Sequence, residues 1–345
     1  MSSKGLRNNT IRVRLIAVAI IAVVLVAGTG WYLASSRAEQ LQQTAAAPAQ
    51  ASVSLATVRA GPRIVFRNAA LGSEYGVVSM VPIADPAGPR AFTDTACDRV
   101  FATAAETLCL ASDRGVVTTY SAKVVTDATG AIHDIPLTGS PSRARLSDDG
   151  SLSATTSFVA GDSYAATNFS TRTVVTHLGT GVSQDLEDFA LLDNGQRIAP
   201  VDRNYWGVTF AADDDRFYLT VAFGGVTHLA MGRLSTQTVE TVRQDAECPS
   251  LSPNGTKVAY KKRGDRARGD WRVTVLDLTT GTETQLSETR SVDDQVEWLD
   301  DHRILYGLPG AGSQAAESNV WVVNADGTGS PTLLIPQAWS PAVVR

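Results

Sequence analysis

The stretch that decides the fold is Glu247–Leu286, ECPSLSPNGTKVAYKKRGDRARGDWRVTVLDLTTGTETQL. Its Asn254-Gly255 pair predicts a tight hairpin between two β-rich runs, because both central positions of such a turn need positive φ. After a charged loop, Trp271–Leu278 is a third β-rich run, and the turn Thr279–Gly281 leads into a fourth, Glu283–Leu286. Four short antiparallel strands in about 40 residues have the size of one propeller blade.

The rest of the chain contains imperfect copies of this unit. The first hairpin recurs at 146–150 (LSDDG), at 298–302 (WLDDH) and more loosely at 210–214 (FAADD). An outer turn recurs at 85–88, 127–130, 170–171, 235–236, 279–281 and 326–327. These six outer turns predict a six-bladed β-propeller of the all-β class.

One interval between outer turns, from 171 to 235, is longer than the others. It contains Asn194-Gly195, a second strong hairpin signal. We interpret residues 185–202 as a hairpin inserted between blades. A degenerate seventh blade is the alternative.

The two ends of the repeat region predict how the ring closes. The first repeat begins at Pro62–Phe66, which matches the second strand of the unit. The missing first strand is found at Ala338–Pro341, which matches the Leu251–Pro253 position. A C-terminal strand placed inside the first blade closes the ring and protects edges that an open sheet would expose.

Three segments, SPNGTKVAY, WRVTVLDLTTGTETQLS and SNVWVVNADGTG, resemble the repeats of TolB-like six-bladed β-propellers. The resemblance covers residues 62–345 and implies an extracytoplasmic propeller that binds proteins, with no catalytic residues to carry over. We expect a membrane-anchored variant that lacks the separate N-terminal α/β domain of TolB, because fewer than about thirty stalk residues precede the first blade.

The first sixty residues predict a membrane anchor. Residues 1–14 are basic without an acid, and 15–34 form an apolar run without a charge. About 20 apolar residues in a helix cross the hydrocarbon layer, and the basic flank stays cytoplasmic. We therefore predict a cytoplasmic tail (1–14), a transmembrane helix (15–34) that contacts the lipid bilayer, a stalk (35–61) and an extracytoplasmic propeller (62–345). A signal peptide cleaved near Ala34, which would release a secreted protein, is the alternative.

Cys97 and Cys109 flank a predicted turn near Ala104-Ala105 at similar distances from it. Their Cβ atoms could therefore approach within disulfide range, and an extracytoplasmic location permits the bond. We predict a disulfide, with two buried free thiols as the alternative. Cys248 has no partner and is interpreted as a small core residue.

Polar residues precede three successive inner strands, whose entry loops ring one mouth of a propeller channel. They are Asp202, Arg203, Asn204, Glu247, Asp293 and Asp294. These residues are the candidate binding site, a carboxylate-lined mouth for a basic peptide segment or a cation. The alternative is that these loops are polar because they are solvated, or because they form ion pairs between blades.

Composition and motifs limit the other functions. The net charge of −5 gives no field that attracts nucleic acid. The four histidines lack metal-ligand spacing, and the aspartates lie at turns that favour them, so neither a metal nor a cofactor is predicted. The basic run from Lys261 to Arg268 is interpreted as a solvated loop, and no nucleophile elbow, phosphate loop or zinc-protease motif occurs.

The leading hypothesis is a monomeric, membrane-anchored propeller that binds a protein or peptide of the cell envelope. A propeller enzyme or carbohydrate-binding protein that uses the acidic mouth is one alternative. An accessory sensor that contacts a neighbouring membrane protein through its helix is the other.

Overall fold

Six sheets, antiparallel except for one pair of strands, form the blades of a ring in the computed structural model, which describes residues 3–46, 50–115, 117–159, 170–310 and 317–345. Blade 1 contains β1 (Arg63–Asn68), β2 (Val77–Pro82) and β3 (Ala91–Ala96). Blade 2 contains β4 (Arg99–Ala102), β5 (Glu106–Arg114), β6 (Thr118–Thr126) and β7 (Ile132–Ile135). Blade 3 contains β8 (Ser140–Leu146), β9 (Leu152–Val159), β10 (Ser170–His177) and β11 (Ser183–Asp185).

The second half of the ring follows the same pattern. From the channel outward, blade 4 contains β14 (Asn204–Phe210), β15 (Arg216–Phe223), β16 (Val226–Arg233) and β17 (Thr238–Gln244). A further hairpin, β12 (Ala190–Asp193) and β13 (Gln196–Ile198), lies outside β17. Blade 5 contains β18 (Glu247–Leu251), β19 (Lys257–Lys262), β20 (Arg272–Asp277) and β21 (Glu283–Gln285). Blade 6 contains β22 (Glu297–Asp300), β23 (Arg303–Pro309), β24 (Ser318–Asn324) and β25 (Thr332–Ile335), and β26 (Ala338–Val344) returns to blade 1.

The prediction of a six-bladed ring is confirmed, and the extra hairpin forms no seventh blade. Strand β12 pairs in parallel with β17, the outermost strand of blade 4, so the hairpin continues that sheet outward. Asn194 and Gly195 take φ values of 49° and 75° at its turn, as the sequence of the turn requires. A short 3₁₀ helix, Leu186–Asp188, leads into the hairpin.

One predicted outer turn was wrong. Ser170-Thr171 begins strand β10, and the outer turn of blade 3 lies at Thr180-Gly181. Gly181 has a φ of 72°, which Ser and Thr rarely adopt, so the glycine determines where the chain reverses. Five of the six predicted outer turns do join the third and fourth strands of their blades.

The hydrophobic core lies between blades. Each of six clusters of buried side chains combines residues from two neighbouring blades, and together they cover every junction of the ring. At the junction of blades 6 and 1, for example, Phe66 packs with Leu305, Val320 and Val343. No blade can therefore bury its apolar faces without both neighbours.

The C-terminal strand closes the ring, as predicted. Strand β26 pairs antiparallel with β1, from Arg63 opposite Val344 to Asn68 opposite Ala338. The buried Arg90 holds the entrance to β26 by donating to the carbonyl oxygens of Pro336 and Gln337 and to the side-chain amide oxygen of Asn68. Burial lowers the pKa of Arg90 to about 10, which still leaves the guanidinium charged at neutral pH.

The N-terminal region forms a unit separate from the propeller. Helix α1 spans Ser3–Ala46 and contains Leu15–Ser36, a stretch of 22 residues long and apolar enough to cross a membrane. Residues 1–2 of the predicted tail and 47–49 of the predicted stalk lie outside the described residues.

The predicted stalk of residues 35–61 does not form one element. Its first part continues α1, and residues 50–61 belong to the propeller unit. The backbone N–H of Val53 donates to the carbonyl of Arg90 at 2.9 Å, and helix α2 (Leu55–Arg59) buries Val58 against blades 1 and 2. Apolar side chains at Val53, Leu55 and Val58 explain why this part packs rather than forming a free linker.

Cys97 and Cys109 form the predicted disulfide, with their Cα atoms 5.5 Å apart. Cys97 lies in the connection from blade 1 to blade 2, just before β4, and Cys109 lies in β5 opposite Val100. The bond therefore fastens the interblade connection to the second strand of blade 2. Cys248 is buried and unpaired.

We predict that Val343→Asp destabilises the whole ring, because it buries an unpaired charge where blade 6 meets blade 1. The free energy of unfolding should fall by about 3–5 kcal/mol, and the midpoint of thermal unfolding by roughly 5–15 °C. Leu333→Asp is the control, because Leu333 is half exposed on the outer strand β25. Calorimetry that finds equal shifts for the two variants would contradict this role of the closing strand.

Candidate functional site

The six inner strands start at the same end of the channel, which we call the upper face. Near their starts, Ser340 of β26 donates to the carbonyl of Val100 in β4 at 3.1 Å, and Arg99 lies over the Trp339 ring. Because neighbouring strands of a blade are antiparallel, the second strand of each blade ends and the third begins at this same face. The entry loops of the inner strands and the connections between the second and third strands therefore lie at the same face of the propeller.

Asp293 stands at the centre of the mouth and is paired with cations. Its Oδ1 lies 2.7 Å from Nζ of Lys261 and 3.9 Å from Nη2 of Arg143. The side chain is 66% exposed, and neighbouring protein atoms desolvate it only in part. Their desolvating effect tends to raise its pKa, but Lys261, Arg143 and Arg99 outweigh it and lower the pKa of Asp293. The carboxylate is therefore ionised, and the neighbouring cations balance its negative charge.

Asp294 points into the wall of the channel. Its Oδ1 lies 3.4 Å from Nη1 of Arg99, and its Oδ2 accepts from the backbone N–H of Gly307 at 3.1 Å. Burial and the nearby Arg143 lower the pKa of Arg99 to about 10, while Asp294 opposes this effect. Asp294 therefore joins blade 2 to blade 6.

Glu247 connects the mouth to blade 5. Its Oε1 accepts from the indole Nε1–H of Trp271 at 2.8 Å, and its Oε2 lies 3.9 Å from Nζ of Lys261. The Lys261 ammonium also lies 4.1 Å from the centre of the Trp271 ring. In total the mouth combines three carboxylates with three cations, Arg99, Arg143 and Lys261.

The remaining three candidates lie beside blade 4. Asp202 accepts from the backbone N–H of Gly224 at 2.8 Å, and Asn204 accepts from the backbone N–H of Thr171 at 3.1 Å. Arg203 donates to the carbonyls of Pro200 and Glu187. Asp202 and Asn204 share a hollow with Glu247, whereas Arg203 is directed towards the 3₁₀ helix.

Below the mouth, an ion pair joins blades on opposite sides of the channel. Nη1 of Arg145 in blade 3 lies 2.5 Å from Oε2 of Glu297 in blade 6, and both side chains are more than nine-tenths buried. Arg145 also donates to Ser250 Oγ at 3.0 Å and lies 4.5 Å over the ring of Phe101. Burial raises the pKa of Glu297, while the attraction of Arg145 opposes the change. This layer separates the upper mouth from a hollow of about 440 Å³ at the lower face.

Among the described residues, two hollows lie at the upper face. One, of about 420 Å³, lies over blades 1, 2, 3 and 6 and is lined by Arg67, Tyr75, Arg99, Arg114, Glu317 and Trp339 among others. Arg67 stacks 4.5 Å over Tyr75, and Arg99 lies 5.5 Å over Trp339. The other, of about 290 Å³, lies between blades 4 and 5.

Exposed apolar side chains lie at the same face as these hollows. Six of them lie at the upper ends of their blades: Tyr75, Val117, Tyr120, Phe158, Val201 and Val226. The most accessible, Val201, is 89% exposed at the entrance to blade 4. Protein interfaces combine such apolar and aromatic side chains with arginine.

The sequence missed the cations of the mouth. Arg143 and Arg145 are two residues apart on the inner strand β8, so alternation places both towards the channel, and this spacing could have identified them. Lys261, interpreted from the sequence as part of a solvated loop, lies in β19 and is buried. The lower hollow was also missed.

Glu288 anchors the loop that carries Asp293 and Asp294 into the mouth. Its carboxylate accepts from Nε and Nη2 of Arg290 at 2.9 and 2.6 Å and from Oη of Tyr306 at 2.6 Å. Burial tends to raise its pKa, but these bonds prevail and lower the pKa of Glu288 to about 2. Arg290 in turn stacks 3.9 Å over Trp321 of blade 6.

Comparison with known proteins supports the fold. No family model and no curated protein matches the sequence. Among solved structures, TolB from Acinetobacter baumannii has a TM-score of 0.60 at 17% identity, covering 82% of this chain and 67% of that chain. A chain of a nidogen/laminin complex has a TM-score of 0.55 at 10% identity, covering 82% and 98%. A putative TolB from Agrobacterium tumefaciens has a TM-score of 0.48 at 10% identity, covering 81% and 90%.

The protein is therefore a six-bladed β-propeller. Its ring has the TolB-like fold that the repeat segments indicated.

We predict that acid destabilises this loop through Glu288. Because the folded pKa of Glu288 is lowered from 4.5 to about 2, its contribution is complete above pH 4.5 and is lost as the pH falls towards 2. Urea unfolding between pH 7 and pH 2.5 should therefore show a smaller acid-dependent loss for Glu288→Gln than for the unchanged protein. Glu74→Gln is the control, because it removes a carboxylate from the connection between β1 and β2, away from the loop that Glu288 anchors. An identical pH dependence of the Glu288 variant and the unchanged protein would contradict the prediction.

Proposed function

We propose that this protein binds another protein or a peptide through its upper face. The observation that carries the proposal is the set of exposed apolar side chains on blades 1 to 4 at that face, where two hollows also lie. The carboxylates of the mouth form ion pairs with cations of the propeller itself, so their main role is to stabilise the ring. A partner then recognises the apolar and arginine–aromatic surface around them.

A catalytic role for the mouth is the alternative. An acid–base site needs a carboxylate whose pKa is shifted towards neutrality. In the mouth, the pKa of Asp293 is lowered, which favours a fixed charge over proton transfer. Glu297 does have a raised pKa, but it is buried against Arg145 below the mouth.

We further propose that α1 anchors the propeller in a membrane, with the basic end in the cytoplasm and the propeller outside. The charge asymmetry around the 22-residue apolar span supports this orientation. The disulfide supports an oxidising compartment. The TolB-like fold agrees with the extracytoplasmic location that the resemblance of the repeat segments implies.

The compartment can be tested through the disulfide. We expect mass mapping of the protein, isolated from cells after thiol blocking, to show Cys97 linked to Cys109 and Cys248 as the blocked thiol. The linkage should form because the propeller matures outside the reducing cytoplasm. If Cys97 and Cys109 are both blocked as free thiols in cells, the proposed location is wrong.

The binding face can be tested by photo-crosslinking in intact cells. A photoreactive phenylalanine derivative at Tyr75 or Val226 should yield a discrete adduct with another protein, because both side chains are exposed at the upper face. Ile132 and Val182 are the controls, since they are even more exposed and lie at the lower ends of blades 2 and 3.

Adducts from the control positions alone, or from none of the four, would overturn the proposed binding face. Adducts from Tyr75 and Val226 alone would support it.

A further inference from the structure

The hollow between blades 4 and 5 has the features of a pocket for one aromatic side chain. Three aromatic residues line it: Trp206 from β14, Phe223 from the end of β15 and Trp271 from the entrance to β20. Its volume of about 290 Å³ is small compared with sites for larger organic ligands. A cavity of this size fits a single side chain.

Contacts with neighbouring residues hold the aromatic walls in place. The ring of Phe223 stacks on His228 with 4.4 Å between centroids and 7° between planes. Trp271 is fixed by its hydrogen bond to Glu247 and by the ammonium of Lys261. Trp206 is buried. Because these rings are already positioned, a ligand need not order them, which favours affinity.

Acceptors lie beside the aromatic walls. Asp202 and Glu247 both line the pocket, and each carboxylate accepts one backbone or indole N–H from the propeller. A carboxylate can accept several hydrogen bonds. Both can therefore also accept the N–H of an indole or the O–H of a phenol, and buried Trp and Tyr side chains require such a partner.

The surroundings of the pocket favour a protein over a sugar. Val201, which precedes Asp202, and Val226, which follows Gly225 at the pocket, are both exposed. Apolar side chains beside a cavity suit the surface around an anchor residue of a protein interface. The pocket also adjoins the channel mouth, because Lys261 contacts both Glu247 and Asp293.

We infer that this pocket binds one tryptophan or tyrosine side chain of the protein partner. The inference rests on the proposed function, since it names the residue class by which that partner is anchored. A chain lying over the mouth can place one aromatic side chain between blades 4 and 5 while it contacts the arginine–aromatic pairs over blades 1 and 2.

Small probes test the pocket directly. N-acetyl-tryptophanamide and N-acetyl-tyrosinamide should give saturation-transfer NMR signals with the full chain in detergent, whereas N-acetyl-alaninamide should not. Thr227→Phe, at the second position of β16, fills the pocket and should weaken the binding of both aromatic probes by roughly tenfold or more, equivalent to about 1.4 kcal/mol. Thr119→Phe, at the second position of β6 in blade 2, is the matched control and should leave binding unchanged.

The inference is overturned if the aromatic probes fail to bind, or if both Phe variants bind them as well as the unchanged protein does. Preferential binding of methyl glucoside or N-acetylglucosamine, with loss in Thr227→Phe, would assign the pocket to sugars instead.

Crosslinking separates this inference from the proposed function. With the photoreactive residue at Tyr75, the adduct should disappear in the Thr227→Phe variant and persist with Thr119→Phe. An adduct that persists in both variants would refute the anchor pocket and leave the binding face standing. Loss of all adducts in the otherwise unchanged protein would refute the binding face.

Discussion

Apolar contact between neighbouring blades is the constraint on which the structure depends. Each blade has buried residues on both faces, and the six clusters that they form lie at the six junctions of the described ring. A four-stranded sheet alone would expose both faces to water, which is unfavourable in proportion to the apolar area. The outer hairpin β12–β13 is accommodated because it extends one sheet outward and leaves the junctions intact. The stability of the fold therefore comes from the contacts between blades, and these contacts do not constrain the residues at the two faces of the ring.

Charge in the channel is arranged in layers that each approach neutrality. Asp293, Asp294 and Glu247 face Arg99, Arg143 and Lys261 at the mouth, and Glu297 faces Arg145 below them. Charges taken from water need partners at close range, because removing one partner leaves an uncompensated ion. These pairs cross from one blade to another, so they also fix how the inner strands stand relative to each other. The mouth is thus polar without carrying a strong field, and recognition falls to the apolar and aromatic residues around it.

Turn chemistry and strand patterning determined most of the fold from the sequence. Asn194 and Gly195 both take positive φ at their hairpin, whereas at Asn254-Gly255 only Gly255 does, contrary to the turn type that the sequence predicted. The closing strand was visible because its pattern matches Leu251–Pro253. Ser170-Thr171 was mistaken for a turn because local composition alone does not distinguish a turn from the start of a strand. The mouth was harder to predict. Its carboxylates follow from their place before inner strands, but their partners come from other blades, and pairing of Asp294 with Arg99 depends on ring geometry. The aromatic pocket likewise joins residues from β14, β15 and β20.

The pairing of Arg63 with Val344 has a consequence for how the protein is made. During synthesis, β1 emerges early and its inner edge has no partner until residues 338–344 have followed. Contacts so distant in sequence form slowly, and unpaired strand edges in the meantime invite aggregation. Until residues 338–344 are synthesised, the nascent chain is therefore an incomplete ring, whereas the cysteines of the disulfide are only 12 residues apart and can pair earlier. Closure of the ring follows the synthesis of all six blades, and only then does the upper face acquire its final shape.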